Sequence, residues 1–507
     1  MEDSRFASKT SDSAPARNAR TGLFRTISWS VVIIGMLARL IVFLQNRYLI
    51  IDEANVARNL HERSFSALLE PLSYEQYAPP LFLFICKLNM MLYGAYEWAL
   101  RLFPAICGLL SLPVMYYLLR KADVKKAAFY PLAILATGGI YLRHTTELKQ
   151  YSSDVLVALL LLLLALLLYP TRTKPLKLAA VWMLAGSVAI LLSMPSVFML
   201  AGVGLYYFAA YVSGRDMKSL TAISVAVLTW LSVFALQYFL LLKPSINSSY
   251  LQNYHQQNFL HLLPSNGEML SYNINSLETF FSHMGGQWVL SMGLHLLMLA
   301  IGFVKLYQSN RGLFLLLAVP LLALLIAAGL HQFVLVPRVV LFIYPILLIA
   351  IGVGLEQCFT LRYRKLVLPP LVLILMVNMY NFNALSWLTE PVAFDHVPDN
   401  LQWAEARKVT GENVYIHDTG KPQWIYYTTI HPDRSKFTSF KLSRPFLWNT
   451  NLDSVAAHAT VPTVFIYSSP NLDEMNSALE TIRRHMIPAD SMISQLGGYA
   501  YLFVPQR

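Results

Sequence analysis

The chain is 507 residues long, 56% of them hydrophobic and only 13% charged, with a mean hydropathy of +0.48. That composition excludes a disordered, highly solvated chain and points to a helical membrane protein, because lipid offers no partners to an open backbone and long Leu/Ile/Val/Phe/Ala runs satisfy theirs as helices. The formal net charge of +11 falls largely in loops between apolar runs, so it calls for no nucleic-acid partner.

The first 26 residues are polar and basic, with Arg17, Arg20 and Arg25, and read as a cytoplasmic tail. The run that follows lacks a small-residue cleavage site and is expected to be retained. Apolar runs at about 27–45, 97–119, 127–142, 154–169, 178–194, 196–212, 219–242, 287–307, 312–330, 339–357 and 366–387 predict about eleven membrane-spanning helices. Alternate loops are basic: Arg120, Lys121, Lys125 and Lys126; Arg172, Lys174 and Lys177; Arg215 and Lys218; Lys305 and Arg311; Arg362, Arg364 and Lys365. Positive-inside bias assigns them to the cytoplasm with the N-terminus, and an odd number of spans puts the C-terminus outside. The alternation requires that the short apolar stretch from Pro79 to Tyr93 lie in the interface or re-enter rather than cross.

Residues 27–387 thus form a membrane domain with outer insertions at 46–96 and 243–286. Residues 388–507 differ, with Asp, His, Asn and Pro returning and apolar runs shrinking to strand length. Asn413–His417, Thr463–Tyr467 and Tyr499–Val504 read as strands, with helices at 399–409 and 471–485, which predicts a small extracytoplasmic α/β domain. Cys86, Cys107 and Cys358 have no evident partners, so no disulfide framework is expected. Asn247-Ser248-Ser249 fits a glycosylation triplet, a pattern common by chance.

The first insertion opens with Asp52 and Glu53 directly after the first span. Asp52 could cap the helix that Glu53 to Asn59 begins. The surroundings favour a second role: Ala54, Ala57 and Leu60 on one helix face, then a Tyr/Gln-rich loop holding Tyr74, Gln76 and Tyr77, then Pro79-Pro80 opening an apolar helix. Together they make a shelf suited to a substrate that is part lipid and part polar. The second outer loop, Arg143 to Asp154 (RHTTELKQYSSD), packs Glu147, Lys149, Gln150, Tyr151 and Asp154 into 12 residues. It is either a solvated turn in which Glu147 pairs with Lys149 or Arg143 and Asp154 caps a helix, or the far wall of the same site.

The order of Asp-Glu after span one, ARNL, Pro-Pro-Leu before an interfacial helix, EWALRLFP from Glu97 to Pro104, and ELKQYSSD before span four resembles bacterial GT-C glycosyltransferases. Within them it is similar to the branch of protein O-mannosyltransferases and lipid A aminoarabinose transferase. The likeness covers residues 27–170 and continues faintly to PRVVLFIYP, Pro337 to Pro345. It implies a hexosyl- or pentosyltransferase of the bacterial cell (inner) membrane that takes sugar from a polyprenyl-phosphate donor and passes it to a lipid, glycan or protein acceptor on the outer face. Membrane lipids are its other partners. It also implies Asp52 as the catalytic base, with Glu53 beside it. Lys149, Arg143, Arg338 and Lys87 are candidate cations for the donor phosphate, with Lys243 a weaker one. Tyr74, Gln76, Tyr77, Glu147, Gln150, Tyr151 and Asp154 are expected to contact substrate. The aminoarabinose branch carries a Lys directly before Pro-Pro, whereas this chain has Ala78, so Lys87 or Lys149 must serve instead or the donor is held differently.

Other residues carry weaker signals. Arg39 lies mid-span and either snorkels or faces a cavity. His255, His261, His283 and His331 match no metal spacing, so no metal or cofactor is expected. Glu97 and Arg101, at i and i+4, read as a structural pair. The run from Tyr250 to Asn258 either lines a saccharide groove or is an ordinary polar loop. A transporter is the rival class and a non-catalytic scaffold a third, but polar investment gathers on one face rather than at the midplane.

Overall fold

The computed structural model describes residues 14–168, 174–243, 258–284, 289–361, 364–380, 384–389, 394–494 and 497–506. Arg172, Arg362, the triplet at Asn247, His255 and all of the Tyr250–Asn258 run except Asn258 lie outside the described residues.

Helix α1 (Ala14–Leu44) is followed by α2 (Ile51–Glu62) and α3 (Pro80–Tyr93), then by the long α4 (Glu97–Lys121). Among the described residues seven helical stretches are long and apolar enough to cross a membrane: Gly22–Leu44, α4, α8 (Pro175–Leu192), α9 (Ser196–Ser213), Met217–Leu242, α12 (Val289–Ser309) and α13 (Arg311–Gly329). The chain is a multi-pass membrane protein. The other four of the eleven expected spans are shorter or broken. Residues 127–142 form two helices, α5 (Phe129–Thr137) and α6 (Gly139–Thr145), parted where Gly138 turns extended. α7 (Tyr151–Leu167), α14 (Ile343–Cys358) and α15 (Arg364–Tyr380) have 17, 16 and 17 residues. α14 is buried almost throughout, which a helix wrapped by neighbours tolerates at less than full span length. It meets α12 with backbones nearly touching. A Cβ at Gly302 would strike the Ala350 carbonyl and one at Gly354 the Met298 carbonyl, so only glycine fits this crossing.

α3 starts at Pro80, the favoured first helical position, and its 14 residues cover the short apolar stretch read from Pro79 to Tyr93. The remaining helices of the membrane body are α10 (Met217–Gln237), which ends in a π-turn over Tyr238–Leu242, and α11 (Gly267–Ser282).

The C-terminal region forms a five-stranded sheet in the order β2-β1-β3-β5-β4, from β1 (Val414–His417), β2 (Arg444–Phe446), β3 (Thr463–Ser468), β4 (Met486–Ile493) and β5 (Gly498–Pro505). β1 runs parallel to β2 and β3, while β5 is antiparallel to β3 and β4. β3 is buried at every position, as a central strand covered on both faces must be. β2 and β4 escape the sequence reading because both are edges. β2 has three residues including Pro445, and β4 is mostly exposed and carries Pro488 and Asp490 at an irregularity.

One apolar core joins the two regions. Leu49, Val56, Leu60, Phe82 and Leu100 of the membrane side pack with Leu401, Ile416, Tyr426, Tyr427 and Ile466. Buried tyrosines finish the joint: Tyr426 donates to the Ala95 carbonyl at 2.5 Å, and Tyr427 accepts from the Leu49 N–H and donates to Glu97, both at 2.9 Å.

Candidate active site

The acidic pair after α1 splits in two. Glu53, the third residue of α2, accepts the Ile50 N–H at 3.2 Å, and Asp395 accepts the Ile51 N–H at 3.1 Å. The helix start is therefore capped by Glu53 and Asp395, not by Asp52. Successive helical residues diverge by about 100°, so with Glu53 turned inward Asp52 points away, into a cavity of 1610 Å³.

Glu53, expected beside Asp52 in the site, is fully buried and does not line the cavity. One carboxylate oxygen accepts from Arg101 Nε and the Leu148 N–H, both at 2.7 Å. The other accepts from Arg101 Nη2 at 2.7 Å, from Arg47 Nη1 at 3.0 Å and from Ile50. Burial alone would push its carboxyl up, but Arg101 and Arg47 hold it below the usual glutamate value. The expected Glu97–Arg101 pair does not form. Arg101 turns to Glu53, and Glu97 meets Tyr427 and, at 3.3 Å, His431.

The cavity lies between the ends of the membrane helices and the C-terminal sheet domain. Asp52, Tyr74, Gln76 and Tyr77 line it from the first insertion, Arg143, Lys149, Gln150, Tyr151 and Asp154 from the second loop, and Arg338 from the turn before α14. Gln76 connects the first two groups. Its oxygen accepts from Lys149 Nζ at 2.6 Å, which obliges its amide nitrogen to face Asp52 Oδ1 at 3.4 Å. The loop carrying Gln76 is pinned by Asn59, whose side chain exchanges hydrogen bonds with the Ser73 backbone.

Lys149 Nζ and Arg338 Nη1 stand 3.8 and 3.9 Å from Asp52 Oδ2. Those separations are ion pairs longer than direct hydrogen bonds. Lys149, more than any other group, pulls the Asp52 carboxyl below its usual value; burial opposes this, and Arg338 and Gln76 add to it. Burial in turn lowers Lys149, with Asp52 offsetting part of the effect. Asp52 is thus a carboxylate at neutral pH.

Two predicted contacts, Glu147 and Lys87, lie elsewhere. Glu147 is buried behind the cavity wall, bonded to Arg143 and His144, each at 2.7 Å, with Arg47 at 3.7 Å. Lys87 donates to the carbonyls of Leu60 and Arg63 at 2.6 and 2.7 Å, so it closes the C-terminal end of α2. Arg39 neither snorkels nor faces the cavity. It is buried and donates to Leu135 O at 2.5 Å, at the end of α5.

Several lining residues were missed in the sequence. Asn55 and Arg58 follow Asp52 at helical spacing on one face, a signal that could have found them. Asp395, Asp418, Thr419, Lys421 and Ser469 arrive from the C-terminal domain with no motif to announce them. Among the described residues no group of three His, Cys, Asp or Glu could hold a metal ion.

The profile of the dolichyl-phosphate-mannose-protein mannosyltransferase family matches residues 77–238. Two crystal structures of ArnT from Cupriavidus metallidurans share the architecture over nearly their whole length. The apo state aligns with 14% identity and a TM-score of 0.52, covering 96% of this chain and 98% of that one. The form bound to undecaprenyl phosphate aligns with 16% identity and a TM-score of 0.53, covering 94% and 98%. The chain has the fold of the GT-C glycosyltransferase superfamily. No curated protein sequence shows significant similarity to it. The family match takes in α3 to α10 and the loop from Arg143 to Asp154, and it begins after Asp52.

Proposed function

We propose that the protein is a membrane glycosyltransferase that moves a sugar from a polyprenyl-phosphate donor to an acceptor hydroxyl or amine on a lipid, glycan or protein. The carrying observation is Asp52, an ionised carboxylate set between Lys149 and Arg338 in a large cavity that opens where membrane helices meet a polar domain. The family match and the undecaprenyl phosphate bound to the ArnT neighbour support a lipid-phosphate donor.

In this reading the acceptor's nucleophilic atom bonds to the anomeric carbon and passes its proton to Asp52. The bond from the anomeric carbon to the phosphate oxygen breaks, and its electron pair leaves with the polyprenyl phosphate. Negative charge moves from Asp52 to the leaving phosphate, and Lys149 and Arg338, set near Asp52 before the reaction, remain to balance it. Lys149 reaches across to the Gln76 turn, two residues before Ala78, and supplies the cation that this branch otherwise places ahead of Pro-Pro. The basic loops favour an inner-membrane orientation with the N-terminus in the cytoplasm and the sheet domain outside.

The test is transfer by purified protein in nanodiscs. Asp52→Asn should bind donor but lower turnover by roughly 100-fold or more. Wild-type turnover in that variant would overturn the assignment of Asp52.

A further inference from the structure

Lys149 is buried, 6% exposed, and its one hydrogen bond among the described residues goes to Gln76 Oε1 at 2.6 Å. A carboxylate stands close by, with Asp52 Oδ2 3.8 Å from the ammonium. An ammonium bonds more strongly to a carboxylate than to a neutral amide, so an unconstrained lysine would close on Asp52. The constraint is the turn that carries Gln76. Tyr74 and Glu75 both hold left-handed backbone, with φ of 67° and 52°. That conformation costs free energy at residues other than glycine and persists only where the surroundings impose it.

Here α2 imposes it. Asn59 exchanges two hydrogen bonds with the Ser73 backbone, at 3.1 and 3.0 Å, and Arg63 donates to the Ser73 hydroxyl at 2.9 Å. Tyr74 donates to Glu62 at 3.0 Å, and the Arg58 guanidinium lies over the Tyr74 ring, 3.7 Å from its centre. The Gln76 amide nitrogen donates back to the Tyr74 carbonyl at 3.1 Å and faces Asp52 Oδ1 at 3.4 Å. With two acceptors on its nitrogen and Lys149 on its oxygen, the amide has little left to offer a substrate. It stands instead where it keeps base and cation apart.

We propose that Gln76 is a positioning residue that holds Lys149 off Asp52 and so keeps the ammonium free to meet the donor phosphate. This rests on Lys149 as the phosphate cation in the reading above and deepens it. An anionic phosphate oxygen can displace a neutral amide from the ammonium, whereas it would have to compete with Asp52 for a lysine already bonded to a carboxylate. The same spacing leaves Asp52 Oδ2 without a direct hydrogen bond from Lys149 and open to the acceptor's proton.

The test is a set of titrations of purified protein in nanodiscs with undecaprenyl phosphate. Gln76→Met, which keeps the length of the side chain and removes both ends of the amide, should weaken binding by about 3- to 10-fold. The loss should vanish in an Asp52→Asn background, where no carboxylate remains to capture the lysine, and in a Lys149→Ala background, where no lysine remains to be captured. Gln76→Ala should give the same pattern. A loss that persists in Lys149→Ala would mean that Gln76 acts on the lipid or on the fold by itself, and one that persists in Asp52→Asn would mean that it only props the lysine. Either result would overturn the proposal, as would unchanged binding in Gln76→Met. A wild type that binds no undecaprenyl phosphate would overturn the donor reading itself.

Discussion

Glu53→Gln separates the two acidic neighbours by what each supports. The wild-type carboxylate accepts five hydrogen bonds, from Arg101 twice, Arg47, Leu148 and Ile50, at full burial. An amide keeps only one acceptor oxygen. Whichever way it is turned, its NH2 group faces donors; buried Arg101 loses its counter-charge, and buried Arg47 keeps only Glu147 at 3.7 Å. Removing one partner of a buried ion pair costs about 3–5 kcal/mol, a large share of the about 5–15 kcal/mol that holds an ordinary protein folded. Glu53→Gln should therefore lower the yield of monodisperse protein and its unfolding temperature in nanodiscs, whereas Asp52→Asn should melt with wild type and lose turnover. A Glu53→Gln protein that melts like wild type yet loses turnover as Asp52→Asn does would refute the structural role and return Glu53 to the chemistry.

The remaining expectations follow from the same contacts. Lys149→Met removes the group that most depresses Asp52, so the acid limb of the turnover–pH profile should move up toward the ordinary aspartate value of about 3.9; an unmoved limb would mean that Asp52 is not the titrating base. Glu53 and Glu147 are both held below the usual glutamate value. Their contribution is present above the unfolded value of about 4.3 and lost only as pH falls through the folded values, so an unfolding temperature that drops between about pH 7 and about pH 5 would contradict it. Lys87→Ala should leave donor affinity unchanged, since Lys87 serves the carbonyls of Leu60 in α2 and of Arg63 just after it, and a loss in a titration with polyprenyl-phosphate lipid would contradict that placement. A reporter fused after Arg507 should be active only outside the cytoplasm and one inserted at Lys125 only inside; the reverse would move the cavity to the wrong face.

Much of the fold was legible because membrane helices and central strands state themselves in composition. The short α3 is an example, and so are the three apolar strands β1, β3 and β5. What was not legible depended on tertiary context. Residues 127–142 read as one apolar run, but the chain breaks at Gly138, and Arg39, expected to snorkel or to face a cavity, is buried and takes a carbonyl at the end of α5. β2 and β4 have edge-strand sequences, in which exposure and proline erase the apolar pattern. The domain joint was invisible for another reason: Tyr426, Tyr427 and Asp395 find their partners more than 300 positions away.

The site shows the same division within two adjacent letters. Asp-Glu after the first span includes a carboxylate, Asp52, that lines the cavity, but the sequence gives neighbouring carboxylates equal standing. Helix geometry does not, since the turn that points Asp52 at the cavity drives Glu53 into Arg47 and Arg101. The two remain linked. Glu53 holds the Leu148 N–H at 2.7 Å, and Leu148 is the residue before Lys149, so the buried clamp also fixes how far the cation stands from Asp52. The acidic pair therefore works as one device: one carboxylate faces the cavity and the other sets the electrostatics around it. For that reason Glu53→Asp, which keeps the charge but shortens the side chain by one methylene, should fold better than Glu53→Gln and still disturb the Asp52–Lys149 spacing. A raised acid limb in Glu53→Asp at near-normal stability would be its signature. An acid limb identical to wild type would show that Lys149 is placed without Glu53.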